Sequence, residues 1–445
     1  MRVIRDATLA DGRVRDVRLA DDGTIDVVGE ALDGETTIDA DGRLLLPGAL
    51  DVHVHFRQPG ASQKETWATG SRSAAAGGVT TVVDQPNTDP PTTSGDAFDG
   101  KEAFADDSLV DYGINGGVTD DWDPDSLFAR PLFALGEVFL ADSTGEMGID
   151  ADLFADAVAR AADAGVPVTV HAEDATEFDE SVLPRSTETR AESDSEPGAG
   201  ARERDDVAAW SAYRTADAEI AAAERTVEVA GDADAQVHLA HTSTPEAVDI
   251  AREGGLTCEV TPHHLFRSTD DYEELGTFGR MNPPLRSEDR RERLFERLVD
   301  GRVDVVATDH APHTRAEKDA DVWNAPSGVP GVETMVPLLL AATRETELTV
   351  ERVRDVTARN PADIFGVESK GRVAEGYDAD LALYDLDDAT EIAGADLHSK
   401  CGWTPFEGDA GVFPEWTMRR GAVVWDAAAE SFGDANGENV RGSDQ

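Results

Sequence analysis

Eight short apolar segments recur along the middle of the chain, and helical periodicity separates most of them. Strands that alternate with helices pair in parallel and bury both faces, which explains why these segments are continuously apolar. Eight such units predict a (β/α)8 barrel, whereas a doubly wound open sheet would need a glycine-rich phosphate turn that does not follow the early strands. The segments are 46–53, 78–84, 109–116, 132–140, 166–171, 235–241, 256–261 and 303–309.

The two ends of the chain differ from this middle part. Residues 1–49 contain short alternating segments separated by Asp-Gly steps, which are hairpin signals, and similar segments return in residues 368–432. Neither end has enough strands for a stable sheet, so we expect both to pair into one small β-sandwich domain. This domain would lie beside an α/β, TIM-like barrel of residues 50–367. The polar residues 433–445 are predicted to be a flexible tail.

The chain is strongly acidic, with 91 Asp and Glu residues against 39 Lys and Arg and a net charge of −52. Hydrophobic residues make up 40% of it and recur along the whole length, which argues against disorder. We therefore predict a folded protein of halophilic type, in which counter-ions screen the self-repulsion of an acidic surface. Because such a surface repels nucleic acids and anionic membranes, neither is expected as a partner.

The sequence shows neither the pattern of a signal peptide or membrane span nor the many cysteines of a disulfide-rich protein. The N-terminus has no signal-peptide hydrophobic region, and no apolar run approaches the ~18 residues of a membrane span. Two cysteines, Cys258 and Cys401, cannot form a disulfide framework. We expect a cytoplasmic protein. The charged residues 186–205 interrupt the strand–helix pattern and are expected to form a solvated surface loop, with a lid over the substrate as the alternative.

Nine of the ten histidines lie at the carboxyl ends of the predicted strands, the side of a (β/α)8 barrel that carries active sites. His53 and His55 are two residues apart on the first strand, so their side chains face the same way. Acidic residues reach the same ends at Glu137, Asp142 and Asp309. Imidazoles with carboxylates are the ligands that a hydrolytic divalent metal needs, together with an open position for water. The other strand-end histidines are His171, His238, His241, His263, His264, His310 and His313.

Asp309 emerges from an apolar strand, in the run VVATDHAPHT, into this predicted site. A carboxylate in that place suits catalysis, because it can contact the metal-activated water and shuttle its proton. Capping the segment that follows is the alternative role. We predict a metal-dependent hydrolase in which Asp309 acts as general acid and base.

Several motifs resemble those of the dihydroorotases, in the cyclic-amide branch of the amidohydrolase superfamily. The matching runs extend from about residue 44 to 420 and include DVHVHFRQPG, PNTDPP, VHAED, VHLAHTST, MNPPLR and TDHAPHT. The resemblance implies zinc as the cofactor, with two ions per subunit expected. It implies that the metal ligands include His53, His55, His171, His241 and Asp309. It implies that the substrate is bound by Arg57, Asn87, Asn282 and His313, and a guanidinium such as that of Arg57 can hold a carboxylate through two hydrogen bonds.

The fourth strand departs from the family pattern. Many dihydroorotases carry a carboxylated Lys there that bridges two metals, whereas this chain has Glu137, in the run EVFLADSTG. A native carboxylate could bridge the metals directly, and we prefer Glu137 for this role. Some relatives use an Asp shortly after the strand, which would point to Asp142, and a single-metal site is a third alternative.

The resemblance implies a reaction, the reversible cyclisation of N-carbamoyl-L-aspartate to L-dihydroorotate in de novo pyrimidine biosynthesis. It also makes a homodimer plausible. One alternative is a different cyclic amide hydrolase, a hydantoinase or allantoinase. A second alternative is an inactive homologue that acts as a partner of a transcarbamoylase, although such proteins typically lose metal ligands.

Overall fold

The computed structural model describes residues 1–143, 147–184 and 207–442. The charged segment 186–205, predicted as a loop or lid, lies outside these residues. The described strands are β1 Arg2–Thr8, β2 Val14–Leu19, β3 Ile25–Gly29, β4 Thr36–Asp39, β5 Leu44–Pro47, β6 Ala49–Val54, β7 Val79–Asp84, β8 Asp111–Ile114, β9 Leu135–Phe139, β10 Val168–His171, β11 Val237–Leu239, β12 Thr257–Val260, β13 Val305–Val306, β14 Leu381–Tyr384, β15 Thr390–Glu391, β16 Ala410–Gly411, β17 Pro414–Arg419, β18 Ala422–Asp426 and β19 Ser431–Phe432.

Helices fill most of the intervals between the strands. They are α1 Trp67–Ala76, α2 Gly95–Ala105, α3 Pro124–Leu127, α4 Ala151–Ala164, α5 Ala208–Tyr213, α6 Ala216–Ala233, α7 Pro245–Glu253, α8 Pro262–Phe266, α9 Tyr272–Leu275, α10 Glu288–Val299, α11 Arg315–Lys318, α12 Met335–Ala342, α13 Val350–Arg354 and α14 Asn360–Phe365. Within the described ranges, no helix is long and apolar enough to cross a membrane.

Local sequence signals explain the ends of helix α4. Its N-cap is Asp150, whose carboxylate accepts a hydrogen bond from the backbone N–H of Leu153, one of the donors that a helix start leaves unpaired. Its last turn is followed by Gly165 at φ 67°, a left-handed conformation that glycine adopts without a Cβ clash. Between these signals, Phe154, Ala157 and Ala161 recur at helical spacing and are buried.

Strands β6 to β13 form the barrel. β6, β7 and β8 pair in parallel, and so do β9, β10, β11, β12 and β13. Single parallel bridges, Gly116 to Leu135 and Val54 to His310, join the two groups and close the circle. Each of the eight strands falls on one of the predicted segments, so the prediction of a (β/α)8 barrel is confirmed.

The two ends of the chain pair with each other. Nine strands form one sheet in the order β19-β18-β17-β14-β5-β1-β2-β3, with β4 beside β1. The junction is the antiparallel pair of β5 and β14, in which Leu44 lies opposite Tyr384. Strand β5 therefore belongs to this sheet, and the barrel begins directly after it with β6. The domain boundaries themselves remain a prediction.

A buried ionic cluster joins the sheet to the barrel. The ammonium of Lys370 lies 2.7 Å from Asp111 on barrel strand β8 and 2.6 Å from Asp380, which immediately precedes β14. Arg419 on β17 also reaches Asp111, at 2.9 Å. Because the carboxylates are buried together with their cations, the cluster links the two parts through paired charges.

The prediction of a flexible tail does not agree with the contacts of residues 433–442. The backbone N–H of Tyr112 on β8 donates to Glu438 O at 2.9 Å, and the N–H of Val440 donates back to Tyr112 O at 2.8 Å. The Val440 side chain is buried in an apolar cluster with Phe133 and Phe365. These residues pair with strand β8 through their backbone. This pairing explains why they are ordered although their composition is polar.

Candidate active site

The six residues predicted as metal ligands meet at the carboxyl end of the barrel. His53 is on β6, Glu137 on β9 and His171 at the end of β10, whereas the other three follow their strands within a few residues. All six side chains are buried, with at most 6% of any residue exposed. The six are His53, His55, Glu137, His171, His241 and Asp309.

Glu137 lies at the centre of this cluster. Its Oε1 atom is 2.8 Å from Nδ1 of His171 and at hydrogen-bonding distance from Nε2 of His241. Its Oε2 atom is 3.3 Å from Nε2 of His53. At this end of the barrel, the described residues form two groups of three ligand atoms, each within 4.8 Å of one another, and Glu137 belongs to both. This is the position that a carboxylate bridging two metals would take.

Asp142, the alternative to Glu137, points elsewhere. It is exposed, and its carboxylate accepts a hydrogen bond from the backbone N–H of Gly148 at 2.7 Å. Asp142 belongs to none of the groups of ligand atoms formed by the described residues. The geometry therefore favours Glu137 as the substitute for the carboxylated Lys.

Asp309 faces the first-strand histidines. Its Oδ1 atom lies 2.9 Å from Nε2 of His55 and 3.6 Å from Nε2 of His53. Its backbone adopts φ 45°, and the site residues Arg57 and His241 share this left-handed region at φ 63° and φ 31°. Such conformations are strained for residues with a Cβ and persist where the surroundings fix them, as in binding sites.

The donor set fits a divalent metal. Nε2 of His53 is buried and makes no hydrogen bond within the described residues, although carboxylate oxygens lie 3.3 and 3.6 Å away. Burial raises the pKa of Glu137, but His241 and His53 outweigh it and hold that pKa well below its usual value. Burial lowers the pKa of His171, but Glu137 and Glu173 raise it to about 9. These shifts arise because carboxylates and imidazoles lie against each other, and a divalent metal binds both kinds of group in their deprotonated form.

Two carboxylates that the sequence analysis missed orient the ligands. Glu259 on β12 accepts from Nδ1 of His53 at 2.6 Å and from the backbone N–H of His241 at 3.1 Å. Glu173 lies 2.8 Å from Nε2 of His171 and is itself paired with Arg214. Such groups fix the ring orientation of metal-binding histidines. A signal existed for Glu259, because a charged residue inside the apolar segment LTCEVT needs a buried partner.

Several histidines that are not predicted metal ligands make hydrogen bonds elsewhere in the structure. Nε2 of His238 is 3.2 Å from Glu259, which also contacts His53, a predicted metal ligand. His264 bonds to the Pro283 carbonyl at 3.0 Å, and burial lowers the pKa of His263 to about 3. His398, the histidine away from the predicted strand ends, lies 2.8 Å from Glu333, between the barrel and the sheet.

A small cavity of about 20 Å³ opens beside the cluster. Three of the four residues predicted to bind substrate line it: Arg57, Asn87 and Asn282. Asn87 also supports the metal side, because its Oδ1 atom is 2.7 Å from Nδ1 of His55 and leaves Nε2 of that ring facing Asp309. Ser143, Ser327 and Gly328 complete the polar wall.

His313, the fourth predicted substrate contact, lies behind this wall. It is fully buried and is absent from the lining of the cavity. Its Nε2 atom donates to Ser327 O at 2.9 Å and lies 3.3 Å from Nη2 of Arg57, while Lys64 donates to its Nδ1 atom at 3.1 Å. Burial, followed by the charges of Arg57 and Lys64, holds the pKa of His313 well below its usual value, so the ring is neutral. His313 thus lies behind the cavity wall, in contact with Arg57.

Comparison with known proteins agrees with this geometry. An Amidohydrolase family model matches residues 141–424, more than half of the chain, and a Dihydro-orotase-like model matches residues 42–188. The solved structure of L-hydantoinase (dihydropyrimidinase) from Arthrobacter aurescens superimposes with a TM-score of 0.89 at 27% identity, covering 98% of both chains. The barrel with its histidine and carboxylate cluster is that of a cyclic amide hydrolase, and the chain belongs to the amidohydrolase family.

The identities with related sequences show which branch of the amidohydrolase family the chain belongs to. The dihydroorotase of Halobacterium salinarum is 66% identical over 443 residues, covering 99% of this chain and all of that protein. The dihydroorotase of Methanosarcina acetivorans is 42% identical over 446 residues, covering 96% of this chain and 91% of that protein. Within the amidohydrolases, the chain belongs with the dihydroorotases, as its motifs indicated.

Proposed function

We propose that the protein is a dihydroorotase, which interconverts N-carbamoyl-L-aspartate with L-dihydroorotate and water in pyrimidine biosynthesis. The observation that carries this proposal is the buried Arg57 guanidinium on the wall of the cavity, beside the cluster of metal ligands. A guanidinium in a cavity suits a ring that bears a carboxylate. Hydantoin and allantoin rings carry no such group, so Arg57 favours dihydroorotate over the substrates of those relatives.

We infer a centre of two zinc ions. One would be held by His53, His55, Glu137 and Asp309, and the other by Glu137, His171 and His241. Zinc accepts imidazole and carboxylate ligands and, when bound, supplies polarisation of the ring carbonyl and an activated water near neutral pH. Support comes from the position of Glu137 in both groups of ligand atoms and from the unpaired Nε2 atom of His53.

Asp309 moves the proton in this scheme. In the hydrolytic direction it takes a proton from the attacking water and returns it to the amide nitrogen that leaves the ring. Oδ1 of Asp309 lies 2.9 Å from Nε2 of His55, so the carboxylate lies directly beside the predicted metal ligands. In the direction of ring closure, the same carboxylate removes the proton from the ureido nitrogen that attacks the carboxyl carbon and returns it to the carboxyl oxygen that leaves.

Arg57, Asn87 and Asn282 would hold the substrate ring. Arg57 binds the carboxylate, and the amide side chains of Asn87 and Asn282 supply hydrogen bonds to the polar ring edge. Orientation of the ring against the attacking water lowers the barrier because the entropy of alignment is lost on binding rather than in the transition state.

The test measures turnover of three rings by the purified, zinc-loaded protein in molar salt: dihydroorotate, hydantoin and allantoin. We expect turnover of dihydroorotate, with ring closure of N-carbamoyl-L-aspartate in the reverse assay. Arg57→Gln should raise KM for dihydroorotate by roughly 10²-fold, because truncating one partner of a buried charged pair costs about 2–5 kcal/mol. The control is Arg130→Gln, since Arg130 pairs with Asp99 away from the cavity.

Two results would contradict the proposal. Turnover of hydantoin or allantoin without turnover of dihydroorotate would assign the chain to those cyclic amide hydrolases. Bound zinc without turnover of any of the three rings would favour an inactive homologue that acts as a partner of a transcarbamoylase.

A further inference from the structure

Lysine occurs at five positions in the chain, and three of these side chains are buried. Lys101 lies against the Asp84 carboxylate, and Lys370 lies within the ionic cluster between sheet and barrel. Lys318 differs from both, because its ammonium forms no ion pair with any carboxylate of residues 1–143, 147–184 or 207–442. An ammonium without a counter-ion is costly to bury, so other groups must compensate.

Backbone carbonyls supply this compensation. The Nζ atom of Lys318 donates to Arg280 O at 2.9 Å and to Pro326 O and Gly328 O, both at 3.0 Å. Three acceptors require three N–H donors, and only the ammonium form provides them. Burial lowers the pKa of Lys318 and the Arg280 guanidinium lowers it further, whereas the three charge-assisted hydrogen bonds retain the proton.

Two of these carbonyls flank Ser327 on the wall of the substrate cavity. The Ser327 hydroxyl donates to Asn282 Oδ1 at 3.2 Å. The Ser327 carbonyl accepts from Nε2 of His313 at 2.9 Å, and the same ring lies 3.3 Å from Arg57. Ser327 therefore bonds directly to Asn282 and positions the His313 ring that packs beside Arg57, and Lys318 holds the peptide on either side of Ser327.

The next residue leaves this segment little freedom. Gly328 lines the cavity and has φ +127°, and a Cβ there would come within 2.6 Å of Ala311 O. Its N–H donates to Arg280 O at 3.0 Å, the same carbonyl that accepts from Lys318. The ammonium thus ties the chain at 280 and at 326–328 to one point, although these segments are far apart in sequence.

We propose that Lys318 is a positioning residue for substrate recognition: by holding the carbonyls of Pro326 and Gly328, it fixes Ser327 and, through Ser327, the places of Asn282 and Arg57. The inference rests on the proposed function, because it assumes that Asn282 and Arg57 bind dihydroorotate. Lys318 does not contact the metal ligands, so its effect falls on binding rather than on the chemical step.

The experiment compares Lys318→Gln with Lys370→Gln in the zinc-loaded protein, measuring KM and kcat for dihydroorotate and for N-carbamoyl-L-aspartate. The two lysines are equally buried, but Lys370 lies at the junction of sheet and barrel. A misplacement of about 1 Å in a binding site can cost roughly 10²-fold, so we expect Lys318→Gln to raise both KM values by about 10- to 100-fold. Zinc content and kcat should stay close to those of the wild type. Lys370→Gln should lower the melting temperature and leave KM unchanged.

Lys318→Met removes every donor and should raise KM further than Lys318→Gln does. Wild-type KM values in folded Lys318 variants would overturn the inference, and so would a fall in kcat with loss of zinc. Failure of both Lys318 variants to fold, shown by circular dichroism, would make Lys318 a stability residue and also overturn it. A wild type without dihydroorotate turnover would instead overturn the proposed function, so the two failures are distinct.

Discussion

The site consists of two halves that are built on different principles. The metal half consists of His53, His55, Glu137, His171, His241 and Asp309. The substrate half consists of Arg57, Asn87, Asn282 and His313. In the metal half, carboxylates orient imidazoles: Glu259 holds His53 at 2.6 Å, and Glu173 lies 2.8 Å from His171. In the substrate half, cations meet neutral acceptors, as where Lys64 donates to His313 and Lys318 donates to three carbonyls.

The difference follows from what each half must bind. A cation needs anionic and imidazole ligands with fixed directions, and adjacent strands of a closed barrel supply them rigidly. A carboxylate needs positive charge, which is scarce in a chain with a net charge of −52. Neutral carbonyls surround the ammonium of Lys318, whereas Lys64 donates to the His313 ring and also pairs with Glu317 at 3.2 Å. The cavity therefore combines the carboxylates of Glu137 and Asp309 with the guanidinium of Arg57 on one lining.

The largest effect that we expect is unfolding of the whole protein at low salt, which would abolish metal binding and substrate binding together. In dialysis from molar salt to low ionic strength, the Debye length grows from about 3 Å at 1 M to about 30 Å at 0.01 M, so the acidic surface repels itself. We expect cooperative unfolding, seen in far-UV circular dichroism, together with loss of zinc and turnover. Return of the signal when salt is restored would show that unfolding is reversible. A chain that stays folded and active without salt would contradict the halophilic interpretation.

The second-largest effect that we expect is loss of zinc from the metal half while the protein stays folded. Glu137→Gln removes the charge that the two groups of ligand atoms share, so we expect zinc content to fall from two ions to one or none and turnover to be lost. Circular dichroism should still report a folded barrel. The measurement is zinc per chain by atomic spectroscopy after gel filtration, alongside dihydroorotate hydrolysis.

Asp142→Asn is the matched control for this change. Asp142 is exposed and accepts from the Gly148 N–H, so the variant should keep wild-type zinc and turnover. If the outcomes were exchanged, with Asp142→Asn losing zinc and Glu137→Gln keeping it, the bridging role would pass to Asp142. Two zinc ions in both variants would leave neither residue as the bridge.

Strand ends predicted that nine histidines would gather at one side of the barrel, and the resemblance to the dihydroorotases indicated which of them are metal ligands. His53 and His55 alternate on one strand, and the other ligands occupy matching ends of a barrel whose strand order follows the chain. The substrate half was less predictable. The Lys318 carbonyl contacts and the position of His313 behind Arg57 depend on how loops pack, and no periodicity encodes that. The same limit applies to residues 433–442, whose polar composition gave no sign that Val440 would be buried.

The smallest effect that we expect is a partial loss of zinc affinity, which distinguishes a residue that binds zinc from one that only orients a zinc ligand. Glu259 contacts His53 and the backbone of His241 but lies in neither group of ligand atoms. Glu259→Gln should therefore weaken zinc affinity by about 10- to 100-fold without abolishing it, as is typical when a group that orients a metal ligand is lost. Competition with a chelator of known affinity measures this change.

Glu333→Gln is the control, because Glu333 is also buried and holds a histidine, His398, outside the site. Equal zinc affinities in the wild type and Glu259→Gln would mean that the barrel alone orients His53. Complete loss of zinc would move Glu259 from a supporting role to one as essential as that of Glu137.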